Sequence, residues 1–518
     1  MNSDVELVPA KAVFSPGDQV RIEVRGAEGG ELIVRHLGDV VVRVPSGGRW
    51  VDLGPLPEGG YSVEWRDDGG SARTAVQVLA DPRSRLRYGF VVDYAPRRDI
   101  DAVVDNIRRL HLNAVQFYDW AYRHAELLGG GEEYADALGQ PVSLETVRRL
   151  AADLRAAGAE ALGYAAVYAV GDEQWQRWRH DALLTAEGAP YALADFLRIV
   201  DPAAPDWLEH LKGQLVAATD SVGFAGFHLD QYGFPKRAGR ADGVVVDLAA
   251  SFVALLESVR ESLPGSRLVF NNVNDFPTWA TARTSQDAVY VEVWDPHETL
   301  GALSRVATRA RAVAGGKPVV VAAYQHVYDD APAHRADLAT ALTMAALYSH
   351  GATQLLAGEA DRILVDPYYV RNHVAEESTR EMLARWYDFA VMHDELLFDP
   401  AIVDVTGSYA GAYNGDLDVE LGGHRVSGEA DAGAVWRTVR STPHGLVVHL
   451  VNLLDQTDAR WDAPREPIAR RPHGRLRLRA TRGATARIMV ADPDGTGHLV
   501  AVPHVRQGEY IVAELPPL

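Results

Sequence analysis

Cysteine is absent from the 518-residue chain, which excludes disulfides, thiolate catalysis and thiolate metal sites. Positive charge is scarce: 51 Lys and Arg stand against 71 Asp and Glu, for a formal net charge of −20. Nucleic acids and anionic membranes are held mainly by Lys and Arg, so neither is expected as a partner. A neutral partner such as a sugar is compatible with this balance, although acidity by itself mostly reports solubility. Long apolar runs are missing too; none approaches the roughly 18 residues of a membrane-spanning helix. The N-terminal Met1-Asn-Ser-Asp-Val-Glu has no basic stretch leading into an apolar run. A cytoplasmic location is therefore expected, or a secreted one if a leader has been trimmed. Phosphate loops, dinucleotide fingerprints, serine nucleophile elbows and His-Glu-x-x-His metal patterns do not occur, so no cofactor and no metal are expected.

What is present is a chain too long for one hydrophobic core. Residues 1–83 alternate in short apolar runs such as Val20-Arg-Ile-Glu-Val24, separated by turns such as Pro57-Glu-Gly-Gly60. About seven strands at this spacing predict an immunoglobulin-like β-sandwich. Residues 84–395 change to strands alternating with amphipathic helices. The strand candidates are Leu86–Val92, Ala114–Tyr118, Ala161–Tyr168, Phe224–Asp230, Leu268–Asn271, Ala288–Val293, Pro318–Ala323 and Ala352–Leu356. One intervening helix opens at Ser143 and stops at Gly158; another carries Leu248, Phe252, Leu255 and Val259 on one face and stops at Pro264-Gly265. Eight buried-type strands, each followed by a helix-sized segment, predict a (β/α)8 TIM barrel. A doubly wound sheet is the structural alternative, disfavoured because no Gly-rich loop follows the first strand. Residues 396–518 return to β character, with Val435-Trp-Arg-Thr-Val439, Leu446–Asn452, Leu476-Arg-Leu478 and an Asp494-Gly495 hairpin signal predicting a C-terminal antiparallel β-sandwich.

In such a barrel the chemistry sits at the C-terminal ends of the strands. Those ends carry Gln116, Asp119 and Trp120 (strand two), Tyr168 (three), and His228, Asp230 and Gln231 (four). They continue with Asn271 and Asn272 (five), Glu292 and Trp294 (six), Tyr324 and Gln325 (seven) and Glu359 (eight). Asp230 emerges from the apolar run Gly226-Phe-His-Leu, and Glu292 lies between Val291 and Val293. Glycosidic cleavage needs one ionised and one protonated carboxyl group, and the Glu, among Tyr290, Val293 and Trp294, is the better candidate for a raised pKa. The bland alternative is that these acids pair with arginines or cap helices. Aromatic rings at loop positions, including Trp120, Tyr122, Tyr168, Tyr232, Trp294, Tyr324 and Tyr328, suit the C–H faces of sugars, though rings also pack loops onto barrels. His228, two residues before Asp230, would share its side of a strand and is read as a substrate or orienting contact rather than a metal ligand.

The segments Val115-Gln-Phe-Tyr-Asp-Trp120 with Arg123-His124, Gly223-Phe-Ala-Gly-Phe-His-Leu-Asp-Gln-Tyr-Gly233, Phe270-Asn-Asn272 and Val289-Tyr-Val-Glu-Val-Trp294 resemble glycoside hydrolase family 66. Gly358-Glu359 with Asp366-Pro-Tyr-Tyr369, and Val448-His-Leu-Val-Asn-Leu453, extend the likeness. That family comprises dextranases and cycloisomaltooligosaccharide glucanotransferases, with the same order of β-sandwich, barrel and β domain. The resemblance implies a retaining double displacement on α-1,6-linked glucan, with Asp230 as nucleophile, Glu292 as acid/base and Asp119 binding sugar in the innermost subsite. It also implies that cyclising members carry a carbohydrate-binding insert in the barrel. The longest connection here, about 55 residues between strands three and four, reads as loop plus helix. Hydrolysis of dextran or isomaltooligosaccharides is therefore expected ahead of transglycosylation to cyclic or elongated products. Cleavage of another α-glucan linkage and a non-catalytic sugar-binding protein are further alternatives. The oligomeric state is left open. An α-glucan or gluco-oligosaccharide is the expected partner, short imported oligosaccharides above all if the chain stays in the cytoplasm.

Overall fold

The computed structural model describes residues 5–411, 414–479 and 486–518. Met1–Asp4, which begin the stretch read for an export signal, lie outside the described residues.

Seven N-terminal strands form two antiparallel sheets, one of Glu6–Pro9, Val20–Arg25 and Trp50–Gly54, the other of Asp39–Pro45, Glu31–His36, Gly59–Arg66 and Ser71–Val78. Ile22, Leu32, Val34, Val63 and Val78 close the core between them.

Eight parallel strands then follow in sequential order: Tyr88–Val91, Ala114–Phe117, Glu160–Ala166, Gly226–Asp230, Arg267–Asn271, Ala288–Glu292, Val319–Ala322 and Ala352–Gln354. Each is apolar on both faces because helices cover the outside while side chains fill the inside. The sheet closes on itself. Phe90 N donates to Ala357 O at 3.2 Å, and Thr353 Oγ1 to Leu86 O at 2.7 Å, across the seam between strands one and eight. Gly358, at φ +151°, passes so close to Phe90 that a Cβ there would lie 2.3 Å from its carbonyl oxygen. The fold is therefore the TIM barrel and not the doubly wound sheet.

Local signals account for the helices. Ser143 caps Leu144–Ala156 through Thr146 N, Asp247 caps Leu248–Ser262 through Ala249 N, and Thr299 caps Leu300–Val313 through Ala302 N. The regular alternation fails after strand five, where residues 272–287 hold only the 3-10 turn Val273–Asp275 and the single α-helical turn Thr278–Thr281. The connection between strands three and four is also richer than loop plus helix. It contains a three-stranded sheet of Ala169–Gly171, Leu197–Ile199 and Ala192–Leu193 before the helix Pro205–Val222.

Past the helix Glu377–Met392, Val435–Thr442 pairs with Gly445–Asn452 and Val403–Asp404, and a second sheet runs Leu417–Glu420, Gly474–Arg479, Tyr510–Leu515, His504–Gln507. Val426–Ser427 lies parallel to Val435–Thr442, an exception to the antiparallel pattern among the described residues. Asp494-Gly495 sits in the connection between the paired strands Met489–Val490 and Val500–Ala501. No described helix is long and apolar enough to cross a membrane.

Candidate active site

The C-terminal mouth of the barrel holds a cavity of about 240 Å³, lined by residues from strands two to eight or their following loops. Asp230 ends strand four and Glu292 ends strand six, with strand five between them. Asn271, at the end of strand five, joins them: its Nδ2 donates at 2.7 Å to Asp230 Oδ1 and at 2.7 Å to Glu292 Oε2. The two facing oxygens are thus no more than twice that distance, about 5.4 Å, apart. Tyr164 donates to Asp230 Oδ2 at 2.8 Å, and Tyr324 to Glu292 Oε1 at 3.0 Å.

Burial raises both acids, because charge is poorly solvated among aromatic rings. Asp230 is pushed up to about 6, the donors Asn271 and Tyr164 limiting the rise. Glu292 is pushed up to about 7, first by burial and then by the negative charge of Asp230, against the pull of Asn271, Tyr324 and Trp294. The pair thus favours an ionised Asp and a protonated Glu.

Asp119 turns at φ +44° just after strand two, a left-handed conformation that Asp tolerates better than most residues and that often marks functional sites. The turn brings its carboxyl into the cavity wall. Burial, then Asp136 and Asp230, drives it well above the usual carboxylate range. His124 Nε2 lies 4.0 Å away, and burial holds that ring neutral, at about 4. His228 forms part of the cavity floor. Its Nδ1 is 3.2 Å from Tyr88 Oη, its ring lies near-parallel to Tyr164, and burial lowers it to about 3. Gln116, Gln231, Trp294 and Tyr324 also line the cavity. Gln231 spends its amide on Asn271 O and Phe276 O, 3.1 Å each, so it fastens the rim as well.

Five expected substrate contacts face elsewhere. Trp120 is fully buried, donating to Tyr164 O and packing edge-on against Phe224, because the left-handed turn at Asp119 swings the next side chain outward. Tyr168 donates to Phe234 O and accepts from Tyr232 N, holding the loop after strand four. Asn272 binds the carbonyls of Phe270 and Tyr290 and accepts from Thr281. Gln325 accepts from Thr340 inside the core. Glu359 is paired with Arg98 and accepts from Val92 N, clamping the loop after strand one.

Tyr118, Tyr164, Tyr290, Tyr368 and Tyr369, to which the sequence assigned no substrate contact, all line the cavity. Tyr118 and Tyr369 stack with centroids 4.1 Å apart. A period-two signal was available: Gln116/Tyr118, His228/Asp230 and Tyr290/Glu292 are pairs two residues apart with both members in the cavity wall. Tyr164 pairs in register with His228. Among the described residues, no group of three or more His, Asp or Glu is arranged to hold a metal ion.

Comparison with known proteins agrees with this architecture. The profile of glycosyl hydrolase family 66 matches residues 9–518. Two cycloisomaltooligosaccharide glucanotransferases of Niallia circulans are 25% and 24% identical over 290 and 285 residues, which is 51% and 50% of this chain but only 30% of each relative's length. A solved cycloisomaltooligosaccharide glucanotransferase of Paenibacillus sp., complexed with cycloisomaltoheptaose, superposes with a TM-score of 0.87 over 99% of both chains at 19% identity, which establishes the shared fold.

Proposed function

Because the chain belongs to glycosyl hydrolase family 66, we propose that it is a retaining glycosyl-processing enzyme for α-1,6-linked gluco-oligosaccharides, passing the cleaved glycosyl group chiefly to a sugar hydroxyl. The observation that carries this reading is the single amide nitrogen of Asn271 bonded to both carboxylates. A separation of at most about 5.4 Å between facing oxygens supports direct attack by one of them; an inverting pair needs roughly 6.5–9.5 Å to admit a water.

In the proposed reaction an ionised Asp230 oxygen attacks the anomeric carbon from the face opposite the leaving group. The glycosidic C–O bond breaks, its electron pair goes to the leaving oxygen, and Glu292 supplies the proton. Glu292, now ionised, withdraws the proton from an incoming hydroxyl, which displaces Asp230 and restores the α configuration. Asn271 and Tyr164 stabilise the Asp230 carboxylate before it attacks and again as it is expelled.

Transfer rather than hydrolysis is favoured by the names of the relatives, each a glucanotransferase. Product chromatography on α-1,6, α-1,4, α-1,3 and α-1,2 gluco-oligosaccharides tests the proposal. Larger or cyclic products should appear first and from the α-1,6 series. Exclusively shorter linear products would overturn transfer, and turnover of another series alone would overturn the linkage.

A further inference from the structure

The cavity of about 240 Å³ is smaller than the roughly 300–1,000 Å³ of ordinary small-molecule pockets, so it encloses the reacting sugar and leaves the rest of a glucan chain to run over the rim. One side chain on the loop that follows strand five is left largely in water. Trp279 is 56% exposed, whereas the other exposed tryptophan among the described residues, Trp50 at 39%, has the guanidinium groups of Arg21 and Arg108 against its ring. An indole left in water forfeits the burial that would normally recruit it.

Its position links it to the cavity. Trp279 lies on the segment that follows Asn271, and its ring meets Phe276 edge-on with centroids 5.6 Å apart. Phe276 O accepts from the side chain of Gln231, which lines the cavity, and Val273 of the same segment lines it too. One ring contact and one hydrogen bond therefore separate the exposed indole from the cavity wall.

The segment is also held rigidly. Asn274 and Asp275 are consecutive left-handed residues, at φ +51° and +63°. Asn274 accepts from Trp294 N and donates to Asp295 O, tying the loop of strand five to that of Glu292. Asp275 pairs with Arg309, Thr281 donates to Asn272, and the Lys236 ammonium sits 3.9 Å over the Phe276 ring. A ring that is exposed yet fixed suits stacking, because little conformational freedom is lost when a partner lands on it.

We propose that Trp279 is an outer subsite: an aromatic platform that stacks on the C–H face of a glucosyl unit beyond the cavity. The linkage between the strand-five and strand-six loops puts it on the side of Glu292, where the leaving or accepting part of the chain would pass. This rests on the glucan reading above, and the test separates the two.

Trp279→Ala and Trp279→Phe are compared with wild type in two measurements. In affinity electrophoresis, the Asp230→Asn protein is run through gels containing dextran, with and without Trp279→Ala. Retardation should weaken about tenfold on removal of the indole, with Phe restoring part of it. In kinetics, KM for dextran should rise by a similar factor with kcat retained, while isomaltotriose turnover stays unchanged. Thermal melting should match wild type, since the ring is mostly exposed. Equal retardation with and without Trp279 overturns the proposal. If dextran retards no variant but another glucan does, the linkage reading fails, and Trp279→Ala is scored on that glucan instead. If no glucan retards the protein, both ideas fall.

Discussion

Asp230 and Glu292 accept hydrogen bonds from one and the same nitrogen, Nδ2 of Asn271, at 2.7 Å each. That shared donor fixes the spacing of the pair and partly neutralises both charges. Replacing Asn271 with Ala should lower kcat by about two orders of magnitude, the scale of losing one charge-assisted hydrogen bond at each carboxylate. Circular dichroism should remain native. Steady-state kinetics on an α-1,6 oligosaccharide measures this, and a change under threefold would remove Asn271 from the mechanism.

The pH profile has a sign that follows from the two shifts. Asp230 must be ionised, so kcat/KM should fall as pH drops below about 6; Glu292 must be protonated, so it should fall as pH rises above about 7. Tyr164 and Tyr324 donate to the ionised forms and thereby lower the respective pKa values. Tyr164→Phe should therefore move the acid limb to higher pH, narrowing the profile. Tyr324→Phe should move the alkaline limb to higher pH, widening it.

Chemical rescue distinguishes the two carboxylates. Asp230→Ala should lose activity by several orders of magnitude and regain part of it with azide, giving a β-glycosyl azide. Glu292→Ala, given a substrate with an activated leaving group, should yield the α-glycosyl azide. Nuclear magnetic resonance of the products reads the anomer directly. The same configuration from both variants would contradict the double displacement.

Glu359 is expected to act on stability rather than on sugar. It and Arg98 are both almost inaccessible, and its carboxylate also takes Val92 N. Glu359→Ala leaves a buried guanidinium unpaired, which costs about 3–5 kcal/mol. The melting temperature should drop by several degrees, and Arg98→Met in the same chain should recover part of it. Unchanged melting with a raised KM would return Glu359 to the binding site.

The seam of the barrel gives a sharper structural test. At Gly358 any Cβ would collide with Phe90 backbone atoms, the nearest at 2.3 Å, and φ is +151°. Gly358→Ala should part strands one and eight and expose the helix-covered core, seen as loss of soluble folded protein. A variant with native melting would show that the seam can widen.

Sequence-level reasoning reached the eight strands because parallel strands buried on both faces must be short apolar runs, and the punctuating caps at Ser143 and Asp247 are local hydrogen bonds. It reached Asp230 and Glu292 because a carboxylate at the end of such a run has to surface at the rim. It missed Tyr164, although inward alternation with His228 on the neighbouring strand marks it. It misplaced Trp120 because φ at Asp119 is a backbone state that composition does not reveal.

The sequence alone therefore determined the barrel, its flanking β layers and the two facing acids, since periodicity and strand ends are local properties of the chain. Only the tertiary structure decided which polar residues of the rim turn inward. Tyr118 meets Tyr369, Asn271 meets both carboxylates, and Glu359 meets Arg98 instead of the cavity. Those partners come from distant segments, and a side chain's direction at a strand end depends on the turn that follows and on the register between neighbouring strands, neither of which is written in any one stretch of residues.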